Sequence, residues 1–316
     1  MAEVSVALAD TLRSERQRIG QVPTLEGDGV PYIINGMREL LARGENLPTL
    51  PTVVFQLHQV LDNERAGTGE VAAIIERDPA LTARLLRAAN SAAFSRSGDR
   101  IGSVSSAVNR LGINQVRAIC IVLAVVKAFH SREGGLDHQA FWIHSAAVGM
   151  TARHLWERFG KDPAIAADDL YVAGLLHDVG LLVLEQHFTK EYDEVRQAMS
   201  REPSRLWQVE EEHLGMDHGA VGGLLLGRWS LPEYIAEAVT NHHHPHQAED
   251  QLREVCRIVQ AAEVLCMETG AGLGEEGLPD CSASDVLTEL GADERGIETL
   301  LGEIPRIAER AGQFLA

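Results

Sequence analysis

The feature that most constrains this chain is the helical spacing of its apolar residues, which recur at i, i+3, i+4 and i+7 along most of its length. Alternating β-branched residues, which predict strands, are scarce, and aromatic residues make up only 5% of the sequence. Hydrophobic residues account for 45% of the 316 positions, which is enough to form a substantial core. We therefore predict an all-α fold made of two packed helical blocks.

Residues that begin and end helices divide this pattern into segments. Asp78-Pro79 is typical of a helix start, because aspartate caps the first turn and proline lacks an N–H that would find no partner there. Asp162-Pro163 fits the same pattern, and Pro305 is expected to interrupt the last helical stretch. The predicted helices cover 51–62, 69–77, 79–90, 104–111, 114–130, 138–159, 169–186, 190–201, 205–214, 218–229, 232–243, 250–268 and two further segments after 283.

Changes in composition suggest four parts of the chain. Residues 1–46 are polar and resemble an extension, and residues 47–133 form a first helical block. A Gly-containing stretch at 131–138 is a plausible joint to a second block at 134–268, which holds most of the 13 histidines. Residues 269–316 are expected to form a loop followed by the C-terminal helices.

The charge of the chain disfavours nucleic acid as a partner. There are 28 Lys and Arg against 46 Asp and Glu, a net charge of −18, which repels phosphate backbones. Arginines make the first block more basic than the rest of the chain, which fits a solvated face with ion pairs, or else a partner-binding face. Its arginines include Arg84, Arg87, Arg96, Arg100, Arg110 and Arg117.

Nothing in the sequence predicts a membrane or secreted protein. The longest apolar run, Ala118 to Val126, has nine residues, whereas a bilayer span needs about 20. The N-terminal residues contain no basic segment ahead of an apolar stretch, so we expect no signal peptide. The four cysteines form no C-x-x-C motif and are expected to be reduced, which fits a cytoplasmic protein.

The most notable local motif is His177-Asp178 within an apolar helical segment. Burying a carboxylate among apolar residues is costly unless a cation or hydrogen-bond donors compensate for it. The two residues alone fit a buried hydrogen-bonded pair at least as well as a pair of metal ligands.

Further histidines and one carboxylate lie at apolar helical positions and favour a shared site. Imidazole and carboxylate together suit Fe, Mn, Zn or Ni, and ligands from several helices can build a metal site inside a bundle. These residues are His144, His218, the run His242 to His244, and Glu263.

Each of these residues also has a purely structural explanation. His144 could be a hydrogen-bonded core histidine, and His218 could follow an Asp217 cap in a first turn. The three consecutive histidines could stabilise a helix C-terminus when protonated, and Glu263 could be an exposed position of an amphipathic helix.

Several separated motifs, in order, resemble the HDOD family, the HD-related output domain of bacterial signalling proteins. The resemblance covers about residues 40–245 and continues weakly to 268. The motifs are LPTLPTVVFQLHQVL at 47–61, DPALTARLLRAANSAAF at 78–94, VSSAVNRLG at 104–112, FWIHS at 141–145, AGLLHDVG at 173–180, EEEHLGMDHGAVGGLLLGRWSLP at 210–232 and NHHHP at 241–245.

This resemblance implies that the second block is related to HD-domain metal phosphohydrolases, in which histidines and aspartates bind one or two ions. Asp178 would then be the bridging carboxylate of a two-metal site. The first ion would take His144, His177, Asp178 and Glu263, where Glu263 replaces the aspartate of the relatives. The second ion would take His218, His242 and His243. The implied cofactor is a divalent metal: Fe, Mn, Ni, Zn or Mg.

Two departures from the catalytic relatives argue against efficient turnover. The HDxG motif is followed by Leu181 rather than a basic residue that could neutralise phosphoryl charge. The GYP signature expected after the paired histidines is replaced by HPHQAED. We therefore favour a regulatory module that acts through signalling proteins or a small phosphate-containing ligand. The alternative is a metal-dependent phosphohydrolase acting on a nucleotide or another phosphoester.

Overall fold

The computed structural model describes residues 36, 67–90, 100–129, 135–274, 277–279 and 281–315. Across these residues the secondary structure is helical, and the β-type pairing is limited to an isolated antiparallel bridge between Arg205 and Gly277. The prediction of an all-α fold is confirmed. In this part of the chain, no helix is both long enough and apolar enough to cross a bilayer.

The first helical block is described from residue 67, so the predicted helix at 51–62 lies outside the described residues. Its start signal works as expected, because the Asp78 side chain accepts hydrogen bonds from the backbone N–H groups of Ala80 and Leu81. Its helices are α1 (Thr68–Ile75), α2 (Pro79–Ala89), α3 (Val104–Leu111) and α4 (Ile113–Ala128). The Asn90 side chain exchanges two hydrogen bonds with the backbone of Ile101, at 2.7 and 2.9 Å, and so ties the end of α2 to the segment before α3.

The second block surrounds one long helix, α5, which packs extensively on α6, α12 and the C-terminal α14. The helices of this block are α5 (His138–Phe159), α6 (Ala167–Leu176), α7 (Val179–His187), α8 (Thr189–Met199), α9 (Leu206–Leu214), α10 (His218–Arg228), α11 (Glu233–Thr240) and α12 (Arg253–Glu268). The last two are α13 (Ala283–Glu289) and α14 (Glu294–Leu315).

The two blocks are joined where α4 packs on α6. Arg117 of α4 forms an ion pair with the buried carboxylate of Asp169 in α6. The other oxygen of that carboxylate accepts a hydrogen bond of 2.8 Å from the Tyr234 hydroxyl of α11. The first block is therefore anchored on the helix that leads directly to His177.

Three sequence-based expectations about helix ends are wrong. The predicted helix at 169–186 is two helices, α6 and α7, because the chain turns at His177 and Asp178. Asp162-Pro163 begins a turn rather than a helix, with the Asp162 carboxylate accepting from Ala164 N–H at 2.8 Å. Helix α14 continues through Pro305, since burial of Leu300 and Ile304 and contact with α5 compensate for the hydrogen bond that proline cannot make.

Candidate metal centre

The turn between α6 and α7 directs His177 and Asp178 into the interior of the second block. His177 is fully buried, and Asp178 is 1% exposed. The Nδ1 atom of His177 lies 2.8 Å from the Gly174 carbonyl, and its Nε2 atom lies 3.2 Å from Asp178 Oδ2. Because the turn ends one helix and begins another, both side chains can reach the same point.

A close approach of α7 to α10 fixes the position of this turn. A Cβ atom at Gly180 would collide with the carbonyl oxygen of His218. Glycine therefore allows the N-terminus of α7 to lie directly against α10, which brings His218 next to Asp178. The glycine of the HDxG motif thus has a packing role in this chain.

Asp178 lies at the centre of four histidines, which come from α5, from the α6–α7 turn, from α10 and from the end of α11. The nearest pair joins His218 Nε2 to Asp178 Oδ1 at 3.1 Å. His144 Nε2 lies 3.8 Å from Oδ2, and His242 Nε2 lies 3.8 Å from Oδ1. In each ring the Nε2 atom faces the carboxylate, so one anionic group is shared by the whole cluster.

The opposite nitrogen of each ring is held by a hydrogen-bond acceptor. Nδ1 of His144 lies 2.8 Å from the Ala271 carbonyl, and Nδ1 of His242 lies 2.7 Å from the Val239 carbonyl. An N–H at Nδ1 leaves the lone pair on Nε2, the arrangement typical of metal-binding histidines. The Nε2 atoms of these rings therefore have the orientation that a metal ligand would need.

The remaining two side chains that the sequence indicates lie beside this cluster. His243 Nε2 is 3.0 Å from His218 Nε2, and His243 Nδ1 is 3.9 Å from Glu263 Oε2. The same Glu263 oxygen lies 4.0 Å from His242 Nε2. All seven residues thus meet in one place, but Glu263 lies nearer to the pair of histidines at 242 and 243 than the sequence-based assignment to the first ion implies.

These donor atoms divide into three overlapping groups in which every ligand atom lies within 4.8 Å of the others. The groups are His144 with His177 and Asp178; Asp178 with His242 and Glu263; and His218 with His242 and His243. Asp178 and His242 each belong to two groups, which is the pattern of adjacent sites that share ligands.

The cluster contains buried polar atoms that the protein leaves unsatisfied. Within the described part of the chain, the Nε2 atom of His242 accepts no hydrogen bond, and the 3.1 and 3.2 Å contacts of His218 and His177 with the Asp178 carboxylate are not aligned as regular hydrogen bonds. A buried polar atom without a partner costs about 1–3 kcal/mol, and more for a charged group. A divalent cation between these atoms would satisfy all of them, so the donor set fits a metal.

The pKa values reflect the same arrangement. Burial, together with the neighbouring His243 and His177, holds the pKa of His242 well below its ordinary value. Burial also lowers the pKa of His177, although the Asp178 carboxylate opposes this. Burial acts to raise the pKa of Asp178, but the imidazoles of His177 and His218 outweigh it and hold that pKa well below its ordinary value.

Sequence analysis missed Glu210, a fully buried residue of α9. Burial alone would lower the pKa of His218, but the carboxylates of Glu210 and Asp178 raise it well above its ordinary value. Glu210 Oε2 lies 2.6 Å from His218 Nδ1 and accepts a second hydrogen bond of 2.8 Å from the His218 backbone N–H. The available signal was helical spacing, which places Glu210 on one face with Leu206 and Leu214.

A small pocket leads from the cluster to the surface between α9, α12 and residues 278–279. Its polar end is formed by Asp178, His218, His243 and Glu263. Its outer walls are largely apolar, and they are formed by Leu206, Trp207, Val264, Met267, Leu278 and Pro279. In the described part of the chain, the side chains that line this pocket include no lysine or arginine.

Comparison with known proteins identifies solved structures of the same fold. The solved structure of an HDOD domain protein with unknown function from Geobacter sulfurreducens has a TM-score of 0.75 and 27% identity, covering 90% of this chain and 99% of that chain. A candidate signal transduction protein from Marinobacter aquaeolei VT8 has the same fold, with a TM-score of 0.73 and 23% identity, covering 98% of this chain and 66% of that chain.

Among curated proteins, an uncharacterized protein of Treponema pallidum (strain Nichols) is 28% identical over 215 residues, which are 66% of this chain and 40% of that protein. This chain therefore spans less than half the length of that relative. The sequence profile of the HDOD domain matches residues 47–245, which is more than half of the chain. The chain therefore belongs to the HDOD domain family.

Proposed function

We propose that this protein is a regulatory HDOD module whose second helical block binds one or two divalent metal ions in the cluster around Asp178. The observation that carries the proposal is the convergence of Nε2 atoms on one buried carboxylate, with the Nδ1 atoms held by carbonyl or carboxylate oxygens. The ligands are His144, His177, Asp178, His218, His242, His243 and Glu263.

The donor types narrow the choice of ion. The set is rich in imidazole and contains carboxylates but no thiolate, which favours Fe, Mn, Ni or Zn over Mg. An ion bound between His144, His177 and Asp178 would leave a second group at His218, His242 and His243 for another ion. A bound ion would also neutralise the Asp178 charge.

The pocket supports binding and signalling with little or no turnover. Among the described residues, its lining provides no guanidinium or ammonium group to neutralise phosphoryl charge, and Leu181, which follows the HDxG motif, is buried in α7. The module would act in the cytoplasm by contacts with signalling proteins or by binding a small phosphate-containing ligand, and its negative charge disfavours nucleic acid as a partner.

The second candidate is a metal-dependent phosphohydrolase acting on a nucleotide or another phosphoester. One observation favours it: Asp178 faces ligand groups on both sides, as a carboxylate between two ions does. Two bound ions would supply Lewis acidity and a water of lowered pKa. In that case His144 and His177 would hold one ion, and His218 and His243 would hold the other.

Metal analysis followed by an activity screen separates the two candidates. Protein purified without chelator, and reconstituted with Mn, Fe, Ni, Zn or Mg, should contain at least one more ion per chain than the Asp178→Asn variant. Cyclic dinucleotides, nucleotides and simple phosphoesters would then be tested with each loaded form. The regulatory proposal expects no turnover that depends on Asp178. Hydrolysis that is abolished by Asp178→Asn would instead establish the phosphohydrolase, and absence of metal under all conditions would refute both.

A further inference from the structure

A second cluster of potential ligands lies outside the Asp178 cluster, on the outer side of α9 and α10. It consists of Glu211, Asp217 and His244, whose ligand atoms all lie within 4.8 Å of one another. His244 Nε2 is 3.6 Å from Asp217 Oδ2 and 3.9 Å from Glu211 Oε1. Asp217 and His244 are buried, and Glu211 is exposed, so the cluster is open to solvent at one side.

The sequence builds this outer cluster from the direct neighbours of the inner one. Three pairs of consecutive residues each place one side chain toward the Asp178 cluster and the other toward the outer cluster. The pairs are Glu210 and Glu211, His218 and Asp217, and His243 and His244. The Trp207 ring lies between the two clusters, 6.1 Å from the His243 ring and 4.4 Å from the His244 ring.

The geometry of the outer cluster suits a cation better than direct hydrogen bonds. Its nitrogen-to-oxygen distances of 3.6 and 3.9 Å exceed hydrogen-bond length. Ligands bound tetrahedrally at about 2.0–2.2 Å from an ion lie roughly 3.3–3.6 Å from each other, so a small inward movement would complete the coordination.

One ligand of the outer cluster is already fixed in orientation by a separate contact. Asp217 is already held in place, because its Oδ1 atom accepts a hydrogen bond of 2.7 Å from Ala220 N–H as the cap of α10. Its Oδ2 atom is the one that faces His244.

We propose that Glu211, Asp217 and His244 form a second divalent-cation site, separate from the Asp178 cluster, which takes Zn²⁺ or an ion of similar preference with solvent as the remaining ligand. One imidazole and two carboxylates are a donor set that Zn²⁺ accepts, and three protein ligands leave a position open to water. This proposal does not depend on occupancy of the inner cluster.

The test is Zn²⁺ binding measured by calorimetry in full-length protein that carries Asp178→Asn, which disables the inner cluster. Two further substitutions are added separately to this background: Glu211→Gln, which removes a ligand, and Glu212→Gln, which removes the same charge from the adjacent exposed residue. We expect the Glu211→Gln variant to bind Zn²⁺ at least about tenfold more weakly, and the Glu212→Gln variant to match the background.

Three outcomes would overturn the proposal: no Zn²⁺ binding by the Asp178→Asn background, equal affinity in all three proteins, or equal weakening by both glutamine substitutions. A His244→Ala variant in the same background is a second test, since this variant should also lose Zn²⁺ binding in calorimetry. Comparison of wild type with the Asp178→Asn background reports on the inner cluster alone, so the two sites are tested independently.

Discussion

Replacement of Asp178 by asparagine should abolish most of the stabilisation that metal bound in the Asp178 cluster gives this protein. Asp178 is 1% exposed, and its two oxygens lie 3.1–3.8 Å from the Nε2 atoms of four histidines. Zinc binding of about 10–16 kcal/mol by four ligands corresponds to roughly 3 kcal/mol for each ligand. Loss of this one anionic ligand should therefore weaken metal binding by about 100-fold or more.

The expected effect on thermal stability follows from this 100-fold difference in metal affinity. At a free metal concentration 100 times the dissociation constant, bound metal stabilises the wild-type protein by about 2.7 kcal/mol. For a chain of 316 residues, this free energy corresponds to a rise in Tm of about 4 °C. A 100-fold weaker site at the same concentration gives about 0.4 kcal/mol, which is a rise of less than about 1 °C.

The assay is differential scanning calorimetry of each protein with and without metal, so that every variant has its own metal-free baseline. Asp169→Asn is the matched control, because Asp169 is also a buried aspartate but pairs with Arg117 outside the cluster. That control should lower Tm in both conditions and keep the rise of about 4 °C upon metal addition. An equal rise in the Asp178→Asn variant and in wild type would refute the reasoning.

Three further changes test the surrounding structure. Gly180→Ala should lower the free energy of unfolding in urea by about 3 kcal/mol, because the added Cβ would collide with the His218 carbonyl. The control is Gly227→Ala, where an added Cβ would have nothing within 4 Å, and this change should be neutral or stabilising. Equal effects of the two substitutions would contradict the close packing at Gly180. Glu210→Gln should weaken metal binding about 10–100-fold, measured by competition with a chelator, because a neutral amide holds the His218 ring less firmly than a carboxylate does. Unchanged affinity would show that Glu210 does not position His218 for metal binding. Burial raises the pKa of Cys120 to about 12, so its contribution to stability is complete below the pKa of an unfolded thiol and is lost as pH rises toward 12. Between pH 8 and pH 10, the free energy of unfolding in urea should therefore fall by about 1.5–2 kcal/mol more in wild type than in Cys120→Val. Equal losses in both proteins would show that this thiol does not titrate as expected.

The fold could be predicted from sequence because its determinants are local. Amphipathic spacing and caps such as Asp78 and Asp217 act within a few residues, and the structure has both caps. The turn at His177 and Asp178 could not be predicted, since apolar residues continue the helical pattern on both sides of it. That turn depends on the approach of α7 to α10, which is a tertiary contact.

The candidate ligands could be predicted from the sequence, but the groups that orient them could not. Motif resemblance indicated the histidines and acids that the structure brings together around Asp178. The carbonyl of Ala271, which orients His144, has no sequence signal, because every residue has a carbonyl. Glu210 stands first in a run of three glutamates, a pattern more typical of a solvated face, although its spacing from Leu206 and Leu214 marks the buried side of α9.

The most direct test of the central claim is anomalous X-ray diffraction from crystals of the protein loaded with Mn²⁺, Fe²⁺ or Zn²⁺. The proposal predicts an anomalous peak about 2.0–2.3 Å from the Asp178 carboxylate and from Nε2 of His177, with His144 completing that group. A second peak near His218 and His243 would indicate a two-metal centre. Diffraction from metal-loaded crystals with no peak at Asp178 would contradict the claim that this buried cluster is a metal site.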